Sequence, residues 1–113
     1  MLSVKDCGSL LGITKRCKRI IEKTTNISKE DFKRDDDVKE IVCFNIFQIG
    51  ELANVLSLDL TEKYDKISWK QIKGMRNRIV HGYDKINFNI VWETAIDSIP
   101  KLRKYCLEIL ENC

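Results

Sequence analysis

Proline occurs once and glycine five times in 113 residues, so the turn punctuation that strand-rich folds depend on is missing. Long apolar runs are missing as well, and the few-residue runs present are too short for a membrane span. No positively charged segment leads into an apolar stretch near the start, so the expected location is the cytoplasm, with neither secretion nor insertion. Histidine occurs once, at His81, and the five cysteines contain no CxxC pair, which argues against a zinc site. No metal and no cofactor are expected. Cys7, Cys17, Cys43 and Cys106 fall within apolar patterns and read as small hydrophobes, with Cys113 a frayed end.

What remains is a chain with 43% hydrophobic and 33% charged residues, which suits a globular protein rather than a disordered one. Its length fits one domain, residues 1–113. A net charge of +3 is too mild to announce nucleic acid, so the placement of charge matters more than its sum.

The apolar pattern is helical almost throughout. Cys7, Leu10, Leu11, Thr14, Cys17, Ile20 and Ile21 recur at three-and-four spacing and predict a helix from about Ser3 to Thr24. Ser28 with Asp31 resembles a capping box that opens a short helix through Lys33. A second long helix is expected from Asp36 or Asp37 to Leu58, since carboxylates suit a helix N-terminus. Phe44, Phe47 and Val55 widen its stripe beyond one neighbour, as in a central helix or a subunit interface. Gly50 in its middle suggests a close backbone crossing. Ser68 and Gln71 fit a capping box for a helix through Val80, with Gly82 as its C-terminal stop. The last helix is expected from Asn89 to Glu111, kinked at Pro100. The sum is all-α: an antiparallel bundle of four main helices plus short helical turns.

Chemistry concentrates in "GMRNRIVHGYDK", residues 74–85. No carboxylate lies between Lys66 and Tyr83, whereas Lys66, Lys70, Lys73, Arg76 and Arg78 are all cationic. That segment is suited to an anion. On a continuous helix Asn77 and His81 share a face, so the amide can orient the imidazole. Arg76 and His81 lie roughly 140° apart on such a helix. Two copies of the helix facing across a two-fold axis would let the arginine of one flank the histidine of the other in a composite cleft. Arginine offers a phosphate a planar fork of donors, and histidine exchanges protons near neutral pH. With RNA, a base can direct the ribose 2′-hydroxyl at the adjacent phosphorus without a metal. Tyr83 is the polar group most free to reach a substrate or a second protein. A buried or helix-capping His81 is the plainer alternative. Lys73 and Arg78 are candidates for phosphate or RNA contact, though they also suit a solvated face.

"RNRIVHGY" matches the R-x4-H-x-Y pattern of the HepT toxins of the HEPN superfamily. "IGELANVL", "ISWKQIKGMRNRIVHGY" and "VWETAIDSIPKL" resemble, in order, that family's flanking segments, so the likeness runs from about Val4 to Leu110. The resemblance implies an all-helical homodimer whose paired motifs line a cleft. It implies a metal-independent ribonuclease, the toxin half of a toxin–antitoxin module. The implied partner is a minimal nucleotidyltransferase that transfers AMP from ATP to the motif tyrosine. Carried over, Arg76 and His81 would be catalytic and Asn77 supporting. Tyr83 would be both RNA contact and AMP acceptor. AMP on Tyr83 would place a bulky anion beside the arginines and repel RNA. Glu51 is a supporting candidate if its face meets the motif helix, and otherwise a surface glutamate. Leu52 stands where the family often has alanine. The rival reading is a non-catalytic helical subunit that docks and is modified by the nucleotidyltransferase. A plain helical scaffold with no site is a third.

Overall fold

This computed structural model describes residues 2–81 and 85–113, with the His81 side chain outside the description. The expected first helix forms as α1, Val4–Thr24, and the Ser3 hydroxyl caps it by accepting from the Asp6 amide at 3.0 Å. Its inward stripe is Leu10, Ile13, Cys17 and Ile20, all fully buried, whereas Leu11 is half exposed. The sequence pattern had placed Leu11 inside and passed over Ile13. Asn26, with φ of 66°, turns the chain after α1, a left-handed conformation that asparagine tolerates better than most residues.

Helix α2, Lys29–Arg34, carries the expected reciprocal capping box between Ser28 and Asp31. Its one buried residue, Phe32, is fully buried and packs against Trp92, with ring centroids 5.3 Å apart. Helix α3, Asp36–Asn54, begins as expected but stops short of Leu58. A buried carboxylate explains the early stop: Asp6 accepts from the Ser57 amide at 3.0 Å and also from the Ser57 hydroxyl. The Ser57 hydroxyl in turn caps a new helix, α4, Leu58–Lys63. Burial by itself would raise the pKa of Asp6, but the hydrogen bonds from Ser57 and Ser3 outweigh it and hold the carboxyl below its ordinary value.

Helices α1 and α3 run antiparallel. Asp6 meets Ser57, Gly12 faces Leu52 and Arg16 donates to Asn45, so one number rises as the other falls. The C-terminal rod also runs antiparallel to α1, with Cys7 joined to Cys113 and Cys17 beside Cys106. It consists of α7, Phe88–Glu93, a π turn over Thr94–Ser98, and α8, Ile99–Leu110. The π turn stands where a kink was expected, and Pro100 accounts for it. Pro100 lacks an N–H and would crowd the carbonyl one turn back, and the Ile99 amide reaches Thr94 O, the wider i to i−5 bond of a π turn.

Two of the cysteine expectations need correction. Cys7 is disulfide-bonded to Cys113, so neither a free thiol nor a frayed end describes them. The antiparallel register of α1 and α8 brings the N-terminal turn of α1 beside the residues after α8, which spacing along the chain does not reveal. Cys17, Cys43 and Cys106 are free and buried as expected. Burial pushes the thiols of Cys17 and Cys106 up to about 12 and that of Cys43 up to about 11, so they stay protonated at neutral pH.

Candidate functional site

The cationic segment folds as two short helices joined at a corner. Helix α5, Trp69–Lys73, starts at Ser68, whose hydroxyl accepts from the Gln71 amide. Trp69 anchors it. Its indole donates to the Tyr64 carbonyl at 2.6 Å, and its ring stacks on buried Tyr105, whose hydroxyl accepts from the Lys66 amide. Gly74 then serves as C-cap of α5 and N-cap of α6, Met75–Ile79. A Cβ at Gly74 would come within 3.3 Å of the Lys70 carbonyl, tighter than most such contacts, so the corner favours glycine.

The close crossing expected at Gly50 is present. The carbonyls of Ile72 and Lys73 pass 3.6 and 3.5 Å from where its Cβ would stand. That approach sets α5 and α6 against the side of α3. Met75 and Ile79 point into the core, leaving Arg76, Asn77 and Arg78 exposed and Lys73 half-buried.

The expected continuous helix through Val80 does not form. Helix α6 ends at Ile79, and Val80–His81 is a short strand, β1, paired antiparallel with β2, Lys85–Ile86. Two β-branched residues in succession favour extended backbone, and β2 supplies the hydrogen bonds that a further helical turn would have made. The Asn87 amide also donates to the Ile79 carbonyl at 2.7 Å, closing the end of α6. The helical spacings drawn above from Asn77 or Arg76 to His81 therefore do not apply. Gly82, expected to stop that helix, and Tyr83 lie outside the described residues, as does the imidazole of His81.

The guanidinium of Arg76 lies over the ring of Phe47 on α3, 5.8 Å from its centroid. The sequence pattern assigns Phe47 to an interface or the core and does not reveal this pairing. Phenylalanine at the edge of an apolar stripe, facing an arginine-bearing helix, was the available signal. Glu51, one turn further along α3, is exposed and forms no ion pair with Arg76. Among the described residues, no carboxylate lies within ion-pair distance of Lys66, Lys70, Lys73, Arg76 or Arg78. Among the described residues these cations have no carboxylate partner, and Arg76 lies over an aromatic ring. No group of three or more described His, Cys, Asp or Glu residues is arranged to hold a metal ion. No described helix is long and apolar enough to cross a membrane.

Comparison with known proteins gives a family. The family model described as "Ribonuclease HepT-like" matches residues 13–109. The chain is 37% identical over 100 residues to a protein of Caldanaerobacter subterraneus subsp. tengcongensis named "Putative RNase TTE0752", covering 88% of this chain and 89% of that one. It is 33% identical over 93 residues to "Putative RNase MJ1216" of Methanocaldococcus jannaschii, covering 82% and 77%. It is 29% identical over 84 residues to "Probable ribonuclease HepT" of Thermococcus cleftensis, covering 74% and 76%. No solved structure matches.

Proposed function

The chain belongs to the family of HepT-like ribonucleases, and we propose that it is a metal-independent endoribonuclease acting in the cytoplasm as the toxin of a toxin–antitoxin pair. The observation that carries this is the carboxylate-free cationic segment from Lys66 to Arg78, exposed except for half-buried Lys73, with Arg76 steadied over Phe47. Phosphate groups supply the anions such a row lacks. Arg76 bonds the phosphate and stabilises the charge that grows on it during attack by the 2′-hydroxyl. His81 takes and returns the proton. Lys73 and Arg78 hold the flanking strand, and Asn77 and Glu51 are the supporting groups. Labelled RNA incubated with the purified chain in excess chelator is expected to be cut, and the same strand with 2′-deoxyribose at the cut sites is expected to stay intact. Binding of RNA without cutting would instead establish the non-catalytic subunit. Cutting of the deoxyribose strand would remove the proposed nucleophile.

The active form is a two-fold dimer that brings two such rows together. The outer face of α3 supports this. Phe44 is 53% exposed there and Val55, at its C-cap, 47% exposed, an apolar surface that favours a partner of the same kind. Phe44→Glu is expected to give a monomer in sedimentation and to lose cleavage. A persistent dimer would place the interface elsewhere.

Regulation is by a minimal nucleotidyltransferase that adds AMP from ATP to Tyr83. The added phosphate satisfies the cations that RNA needs, so the modified site repels substrate. Co-expression with such a partner is expected to raise the intact mass by whole AMP units, and Tyr83→Phe to abolish the rise. An unchanged shift in Tyr83→Phe would move the acceptor to another residue.

A further inference from the structure

We propose that the cavity between α3 and the junction of β2 with α7 holds a nucleobase of the RNA strand whose phosphate Arg76 binds. This rests on the ribonuclease reading and adds the substrate group recognised beside the scissile bond. The cavity has a volume of about 470 Å³, within the range of small-molecule sites. Cys43, Phe44, Phe47, Ile86 and Phe88 line its apolar part, Phe44 at the edge proposed above for the dimer contact. Each of the three rings carries a cation, that of Phe44 being the Arg16 guanidinium at 5.3 Å. The Arg76 guanidinium lies 5.8 Å from the Phe47 centroid, and the Lys39 ammonium 4.6 Å from that of Phe88. Phe47 is therefore shared, lining the cavity while steadying the arginine that serves the phosphate.

The charged part of the lining tells which part of a nucleotide enters. Asp36 and Glu40 stand there with Lys39, and Asp36 binds Lys39 at 3.1 Å. One ammonium against two carboxylates offers nothing to a phosphate. A neutral heteroaromatic ring loses little there and gains a stacking surface, since every base has a π face. The phosphate belongs instead with Arg76, on the carboxylate-free row. Base and phosphate are thus sorted to adjacent places by charge, with a single aromatic ring between them. Phe88 is held from behind by Phe32, with ring centroids 6.5 Å apart and edge to face, so the cavity wall is backed by the core.

The test measures binding without cleavage. A labelled 2′-O-methyl oligonucleotide and a base-free strand of equal length are titrated by fluorescence anisotropy against wild type and Phe88→Leu. Wild type is expected to bind the base-free strand about tenfold more weakly, the scale of one lost base–aromatic stack. Phe88→Leu is expected to bind the intact strand several-fold more weakly and to lose less than wild type when the bases are removed. The salt dependence of binding should match wild type, because the phosphate contacts are untouched. An equal base penalty in both proteins overturns the base site and leaves the ribonuclease reading standing, as does the absence of any penalty in wild type. Failure of wild type to bind either strand overturns both. The comparison of strands on wild type alone decides the matter should Phe88→Leu not fold.

Discussion

Arg76→Ala is expected to cut RNA about 10²–10³-fold more slowly than wild type, the usual loss when one donor to a developing oxyanion is removed. Its thermal unfolding should match wild type. Arg76 is exposed and rests on a ring rather than filling a cavity, so truncation opens no void. Arg76→Lys should recover only part of the rate, because an ammonium keeps the charge and loses the planar fork. His81→Ala is expected to lose about 10²–10⁴-fold, the range for a general acid or base. The double variant should be little worse than either, since residues acting on one phosphorus fail together.

Mixing the two single variants asks where the pair comes from. If the arginine of one subunit works with the histidine of the other, a dimer of one Arg76→Ala and one His81→Ala chain retains one complete pair, and activity reappears on subunit exchange. If both come from the same chain, the mixture stays inactive. Wild-type rates in Arg76→Ala would remove the proposed phosphate stabilisation altogether.

Phe32→Ala is expected to destabilise the chain by about 3–5 kcal/mol, the cost of deleting a fully buried aromatic ring. That is a large share of the roughly 5–15 kcal/mol typical of a native protein. Helix α2 has six residues and one buried side chain, and a helix that short has little stability of its own. Phe32 holds it to Trp92 and Phe88. Its loss therefore releases α2 and loosens the wall on which Phe88 stands. Phe32→Leu should cost considerably less, because most of the volume is kept. Urea denaturation measures both, and a loss below about 1 kcal/mol in Phe32→Ala would mean that the site collapses around the gap.

The local helix signals were readable along the chain. Ser28 and Ser68 each cap the helix expected of them, because a cap involves residues only three apart. Periodicity found α1, α3 and the C-terminal rod, and Gly50 correctly marked a close crossing. The cationic row was likewise legible, since a run without carboxylates is a property of composition. Phe32 was not: one aromatic residue in a six-residue helix has no period to announce it.

Contacts between distant segments account for the differences. Whether α3 ends at Asn54 or Leu58 depends on Asp6, a residue of another helix that captures the Ser57 amide. Whether the motif helix continues past Ile79 depends on Ile86 and Asn87 arriving to take its backbone bonds. The Cys7–Cys113 bond and the seating of Arg76 on Phe47 follow from the same kind of encounter. Composition and periodicity were enough to establish a helical chain with an anion-seeking row. Where its helices stop, and which ring steadies the arginine, depended on residues far apart in the chain, because only packing decides which backbone groups and side chains find partners.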